Sequence, residues 1–230
     1  MPIFYLNAAS NFPPPDLSLP NGLLAVGGDL SPERLIAAYR MGIFPWYGEG
    51  DPILWWSPDP RFVLLPDWLH IPRSLKQSIK KNKFQYSFDR CFQGVIAGCQ
   101  APRKNGEGTW ITPEMAEAYT KLHELGLAHS VEVWKEGNLV GGLYGVSLGK
   151  CFFGESMFSR VTDASKAAFI FLVEKLKKAG FTLIDCQIYS QHLHLLGARN
   201  VPRLSFLQLL RHSLDAPTRQ GNWGAGDILL

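Results

Sequence analysis

The chain has little that points to a metal, a disulfide or a membrane. Its four cysteines, Cys91, Cys99, Cys151 and Cys186, show no C-x-x-C spacing and no adjacent histidine pair. That argues against a zinc site and gives no disulfide framework. No apolar run approaches the roughly 20 residues that cross a bilayer. Met1-Pro2-Ile3-Phe4-Tyr5 lacks the basic and then apolar regions of a secretory signal. Together these absences predict a protein of the reducing cytoplasm. A further absence is local: between His70 and Phe84 there is no acid, while Arg73, Lys76, Lys80, Lys81 and Lys83 are all cationic.

What is present is the composition of a folded protein, with 230 residues, 46% hydrophobic and 19% charged. That length buries a substantial core, as one large domain or a small one plus a medium one. A net charge of +3 is too small to demand a nucleic-acid partner, so the placement of the basic cluster matters more than the sum.

Residues 1–60 are rich in Pro and Gly and carry one convincing helix. Ser31 suits the N-cap, Pro32 the first helical position and Glu33 the positive end of the dipole, with Gly42 as the stop. The aromatic, proline-stiffened stretches Gly42–Tyr47 and Pro52–Arg61 read as non-strand, because proline cannot donate to a ladder. The expectation is a small irregular N-terminal domain held by aromatic packing. Residues 61–230 look regular. A basic helix over 72–81 turns Leu75 and Ile79 inward, and a helix follows Asp89. Another runs from the Thr112-Pro113-Glu114 cap to Gly126. His129–Trp134 and Leu139–Leu148 alternate as a hairpin, Cys151–Phe153 is a short strand, and a long helix over 164–179 is capped by Asp163. Strand Phe181–Gln187 and two short helices complete the chain. The fold class expected is α+β, an α/β-layered domain of the acetyltransferase type behind the small one. The glycine-rich turn that grips coenzyme A pyrophosphate in such enzymes is missing, since Ser159–Lys166 contains no glycine.

Two blocks carry the chemistry: Gly154-Glu155-Ser156-Met157-Phe158-Ser159 and Leu183-Ile184-Asp185-Cys186-Gln187. Each reads as the end of a buried strand that turns polar. Period-two geometry puts Asp185 and Gln187 on one face with Cys186 opposite. A carboxylate beside an amide can orient an amine and accept its proton. The bland readings are a helix cap for Asp185, a surface amide for Gln187, and for Glu155 a buried ion pair with Arg160 or Lys166.

These blocks, with Pro20–Pro32, Gly42-Ile43-Phe44-Pro45-Trp46, Ile53–Arg61, Gly108-Thr109-Trp110-Ile111-Thr112 and His123-Glu124-Leu125-Gly126, resemble the leucyl/phenylalanyl-tRNA–protein transferase family over roughly residues 20–205. The resemblance implies a two-domain cytoplasmic enzyme with an acetyltransferase-like (GNAT-type) C-terminal domain. It would move Leu or Phe, and less readily Met, from aminoacyl-tRNA to an N-terminal Arg or Lys, marking the product for degradation by the N-end rule. No cofactor or metal is implied. Asp185 would be the base or its anchor, Gln187 would orient the amine, and Glu155 would pair with the acceptor's cationic side chain. Met157, Leu143, Phe152, Phe169, Leu172, Ile184 and Ser159 would form the aminoacyl pocket. Trp46 and Trp110, with Tyr39 and Tyr119 beside them, would hold the 3′-adenosine. Arg73, Lys76, Lys80 and Lys81 would meet tRNA phosphates. The chain departs from the family's pattern with Leu143 in place of Met, Leu172 in place of Phe, and Gln77 where an Arg is frequent. A monomer is expected. The competing readings are an acyl-CoA N-acyltransferase, an enzyme building cell-wall peptide bridges, and a non-catalytic RNA-binding protein.

Overall fold

The structure is a computed structural model and describes residues 3–7, 9–102 and 110–225. Its first part is a small sheet with one helix. β1 (Phe4–Leu6), β2 (Leu23–Gly27), β3 (Phe44–Pro45) and β4 (Leu54–Trp56) lie in the order β1-β2-β4-β3, and α1 spans Pro32–Arg40. The Ser31 hydroxyl accepts the N–H of Arg34 at 3.4 Å, so the expected cap forms. The expectation that the proline-rich stretches avoid strands is overturned. Pro45 sits in β3 at the sheet's edge, where a missing N–H removes no ladder bond. Trp56 Nε1 then donates to the Trp46 carbonyl at 2.6 Å, binding the aromatic loop to β4.

The rest of the chain builds a seven-stranded sheet. In chain order its elements are β5 (Arg61–Leu64), α2 (Arg73–Asn82), β6 (Gln85–Phe88), α3 (Phe92–Gln100), α4 (Pro113–Glu124) and β7 (Ala128–Lys135). There follow β8 (Asn138–Leu148), β9 (Cys151–Ser159), α5 (Ala164–Lys178), β10 (Leu183–Gln187), α6 (Gln191–Leu195), β11 (Arg199–Val201) and α7 (Arg203–Leu214). The strand order is β11-β5-β10-β9-β8-β7-β6. All neighbours are antiparallel except β9 and β10, which α5 connects in parallel. The mixed α/β class and the expected order of hairpin, strand, helix and strand are both present. One core takes α1, α3, α4 and α7 together with the small sheet, for example Tyr39, Phe44 and Trp55 with Phe92, Tyr119 and Phe206. The other packs α5 against the opposite sheet face through Ala168, Phe169, Leu172 and Leu176.

Three local expectations need correction. The strand expected at Cys151–Phe153 continues to Ser159, because β8 supplies partners out to Gly141. Strands β1, β2, β5, β6 and β11 are not among the expected elements, and an ordered four-stranded sheet stands where an irregular N-terminal domain is expected. Asp163 does not cap α5 with its side chain: it takes a left-handed φ of 66° and its carboxylate binds Lys166 at 2.8 Å and Ser78 at 2.7 Å.

The parallel pair is where the molecule opens. β9 and β10 are in register from Leu183↔Cys151 to Asp185↔Phe153, and then they part. Each carries a bulge at the parting point. In β9, Gly154 and Ser156 pair with Gly145 and Tyr144, leaving Glu155 as the extra residue. In β10, Asp185 and Gln187 pair with Val63 and Phe62, leaving Cys186 extra. A bulge bends its strand and re-aims one side chain. Gly145 is needed beside the first bulge, since a Cβ there would lie 2.1 Å from the Phe153 carbonyl oxygen.

Candidate active site

A cleft of about 760 Å³ fills the gap between the diverging strands. Its apolar side is built from β8, β9, α5 and β10 by Leu143, Phe152, Met157, Phe169, Leu172 and Ile184, all expected there from sequence. Ser159 also lines the cleft, at the end where α5 begins. Its hydroxyl donates to the Val161 carbonyl at 2.8 Å and accepts the Ser165 N–H at 3.3 Å, supplying the helix-start contact that Asp163 does not. Trp46 and Trp110 line the cleft from the loop side, and Trp46 is 37% exposed. Gly108 and Thr109, quoted with Trp110, lie outside the described residues.

Glu155, the bulged residue of β9, is the only carboxyl group among the described lining residues. Its Oε1 accepts from Tyr39 Oη at 2.8 Å and from Gln187 Nε2 at 2.8 Å, and its Oε2 accepts from Tyr119 Oη at 2.7 Å. Burial raises its pKa to about 7, with the nearby Asp185 charge adding to the rise while the phenols and the amide work against it. The same burial, with the Glu155 charge next, pushes both tyrosines well above the usual phenol range, so they remain donors. Glu155 is bonded to neither Arg160 nor Lys166. Arg160 donates to the Leu139 carbonyl, and Lys166 pairs with Asp163.

Two sequence expectations fail on geometry. Tyr39 and Tyr119 offer no ring to an adenosine, because both are 0% exposed and spend their hydroxyls on Glu155. Asp185 does not share a face with Gln187, because the bulge at Cys186 breaks the period of two. Its carboxylate is 0% exposed and points away from the cleft to Arg61, with Nε–Oδ1 at 2.8 Å and Nη2–Oδ2 at 2.6 Å. Its hydrogen bond toward the site goes to Gln187, whose backbone N–H donates to Oδ1 at 2.9 Å. Sequence reading missed Arg61, Phe44, Tyr144 and the rim residues Ile188 and Tyr189. For Arg61 a signal existed: a cation heading the apolar run Arg61-Phe62-Val63-Leu64 must be buried, and so must find a carboxylate.

Cys186 lines the cleft as a protonated thiol, its pKa pushed far up by burial and by Asp185, so it offers no thiolate nucleophile. Among the described residues no three His, Cys, Asp or Glu side chains converge as a metal ion requires. No described helix is long and apolar enough to cross a membrane. On α2, Arg73, Lys76, Lys80 and Lys81 are exposed, and none has an ion-pair partner among the described residues. The Ser78–Asp163 bond ties this helix to the end of α5 that borders the cleft.

The family described as leucyl/phenylalanyl-tRNA protein transferase matches residues 63–211, and its N-terminal domain matches residues 28–59. The chain belongs to this family. The leucyl/phenylalanyl-tRNA–protein transferase of Syntrophus aciditrophicus (strain SB) is 61% identical over 97% of this chain and 94% of its own length. That of Azotobacter vinelandii is 60% identical over 90% of this chain and 93% of its own. Among solved structures, L-PGS from Bacillus licheniformis overlays with a TM-score of 0.41 at 13% identity, covering 73% of this chain and 53% of that one. A ribosomal-protein-alanine N-acetyltransferase from Brucella melitensis biovar Abortus 2308 overlays at 0.37 and 15%, covering 49% and 86%.

Proposed function

We propose that the cleft moves Leu or Phe, and less readily Met, from aminoacyl-tRNA onto the N-terminal Arg or Lys of a protein, creating an N-terminus that marks it for degradation. The observation that carries this reading is the pairing of Glu155 with Gln187 where two parallel strands part, facing the apolar wall of the cleft. As a member of its family the chain is an aminoacyltransferase. The reaction is downhill, since an ester becomes an amide. The acceptor α-nitrogen attacks the aminoacyl carbonyl carbon, the bond to the ribose oxygen breaks, and that oxygen leaves with a proton. What the protein must supply is placement, worth on the order of 7–11 kcal/mol in the best-oriented cases.

Each part of that placement has a residue. Phe152, Phe169, Met157 and their neighbours take an aliphatic or aromatic side chain without a polar group left to satisfy. Trp46 and Trp110 give indole faces for the terminal adenosine. Gln187 has its Nε2 committed to Glu155, so its carbonyl oxygen is the atom free to accept from the α-amine. Glu155 carries the negative charge that an Arg or Lys acceptor seeks. Asp185 acts behind them, as an anchor. The cations of α2 meet acceptor-stem phosphates without reading sequence. The enzyme works as a cytoplasmic monomer, where charged tRNA is made.

The test is incubation with radiolabelled leucyl-tRNA and two peptides that differ only in beginning with Arg or Ala. Label is expected in the Arg peptide alone, at a rate that falls steeply as salt rises. Equal labelling of both peptides, or a donor requirement met by acyl-CoA, contradicts the reading.

A further inference from the structure

Arg61 opens β5 on the far side of β10 from the cleft, and no substrate reaches it: it is 0% exposed. Its guanidinium grips both oxygens of Asp185 side-on, and its Cζ lies over two rings, 4.7 Å from the Phe44 centroid and 4.6 Å from that of Phe206. Phe44 comes from the small sheet and is itself a wall of the cleft, whereas Phe206 comes from α7. Stability alone does not account for this arrangement. A buried ion pair gains little over an apolar pair of the same volume, and Arg61 Nη1 is buried with no hydrogen-bond partner among the described residues, which is a cost.

The consequence lies one residue beyond the bulge. Gln187 adopts φ 64°, a left-handed conformation that a glutamine keeps only when its surroundings impose it. Two contacts close that turn: the Ile188 N–H donates to the Cys186 carbonyl across Gln187 at 2.8 Å, and the Gln187 N–H donates to Asp185 Oδ1, the oxygen that Arg61 Nε also holds. The same residue's carboxamide then reaches Glu155 at 2.8 Å. Two rings, a guanidinium, a carboxylate, a backbone turn and a side-chain amide thus form one continuous chain of contacts ending at the reacting groups.

We propose that Arg61 is a positioning residue for aminoacyl transfer: by locking both oxygens of Asp185 it fixes the turn that aims the Gln187 carboxamide into the cleft. The proposal rests on the transfer reading above, but its geometric half does not. Charge is not sufficient for the task, because a lysine ammonium has no planar fork to hold the two oxygens from two nitrogens and no flat face for the rings.

The experiment compares the full-length protein with Arg61→Lys by amide hydrogen exchange in NMR and by single-turnover transfer. Exchange at the Gln187 amide is expected to quicken at least tenfold, while amides of the β7–β8 hairpin keep their protection. Maximal transfer is expected to fall roughly 100-fold, as misplacement by about 1 Å does, with the half-saturating aminoacyl-tRNA concentration changed less than about twofold. Unchanged exchange at Gln187 overturns the proposal whether or not the wild-type protein transfers leucine, which separates it from a failure of the functional reading. Protection lost uniformly over the sheet, or slowing confined to donor affinity, also overturns it, since Arg61 is then only a brace or a donor contact. Should Arg61→Lys not fold, Phe206→Leu keeps the ion pair and removes one ring. It should show the same local pattern more weakly, and its absence there is equally decisive.

Discussion

Replacing Glu155 by Gln should lower kcat/KM for an Arg-peptide by roughly 10²–10⁴-fold, the range that a positioned carboxylate supplies. The size of the loss matters less than its dependence on pH. The Glu155 carboxyl has its pKa raised to about 7, so it is charged above that value and neutral below it. Only the charged form attracts a cationic acceptor or takes a proton. The ratio of wild-type to Glu155→Gln activity should therefore climb about tenfold per pH unit toward 7 and level off above it. The acceptor's own amine titrates identically in both proteins and cancels from the ratio. A ratio that does not vary between pH 5.5 and 8.5 would show that the ionised carboxylate has no part in transfer.

Asp185→Ala is expected to do two kinds of damage that must be told apart. It strands the buried Arg61 guanidinium and frees the Gln187 amide. Removing one partner of such a pair costs about 3–5 kcal/mol, enough to unfold much of a marginal domain at 37 °C. Lost transfer in this variant alone therefore says nothing about chemistry. The double variant Asp185→Leu/Arg61→Met replaces the pair with apolar groups beside the Phe44 and Phe206 rings. It should return to within about 1 kcal/mol of the parent in urea unfolding while its transfer stays crippled. A double variant that transfers at the parental rate would reduce the pair to a structural brace and take the Gln187 turn out of the account.

These two expectations also mark where sequence reasoning succeeds and stops. Local signals carried well. Ser31 and Thr112 cap their helices, Glu136-Gly137 turns the β7–β8 hairpin with both residues at positive φ, and the six apolar wall residues meet at one cleft. Glu155 and Gln187 were legible as a polar interruption of apolar strands. What was hidden depends on partners far away in the chain. The period of two fails at Cys186 because β5 pairs across the bulge, and the Arg61–Asp185 bond that goes with it spans 124 positions. Tyr39 and Tyr119 are expected beside the tryptophans of the adenosine platform, yet α1 and α4 bury both rings and deliver their hydroxyls to Glu155 from residues 116 and 36 positions away. Proline argues against a strand at β3 only while the edge is unknown, and sequence does not say which strand lies there.

In the proposed reaction the parting of β9 and β10 places an acceptor amine at Gln187 against a donor held by the apolar wall and the indoles. A crystal structure with an Arg-peptide and the non-hydrolysable donor analogue 3′-leucylamino-3′-deoxyadenosine tests it most directly. The leucyl side chain should lie among Phe152, Met157 and Phe169, the purine against Trp46 or Trp110, and the peptide's α-nitrogen about 3 Å from Gln187 Oε1. A peptide amine bonded directly to the Asp185 carboxylate, or an adenosine seated away from both indoles, would contradict it.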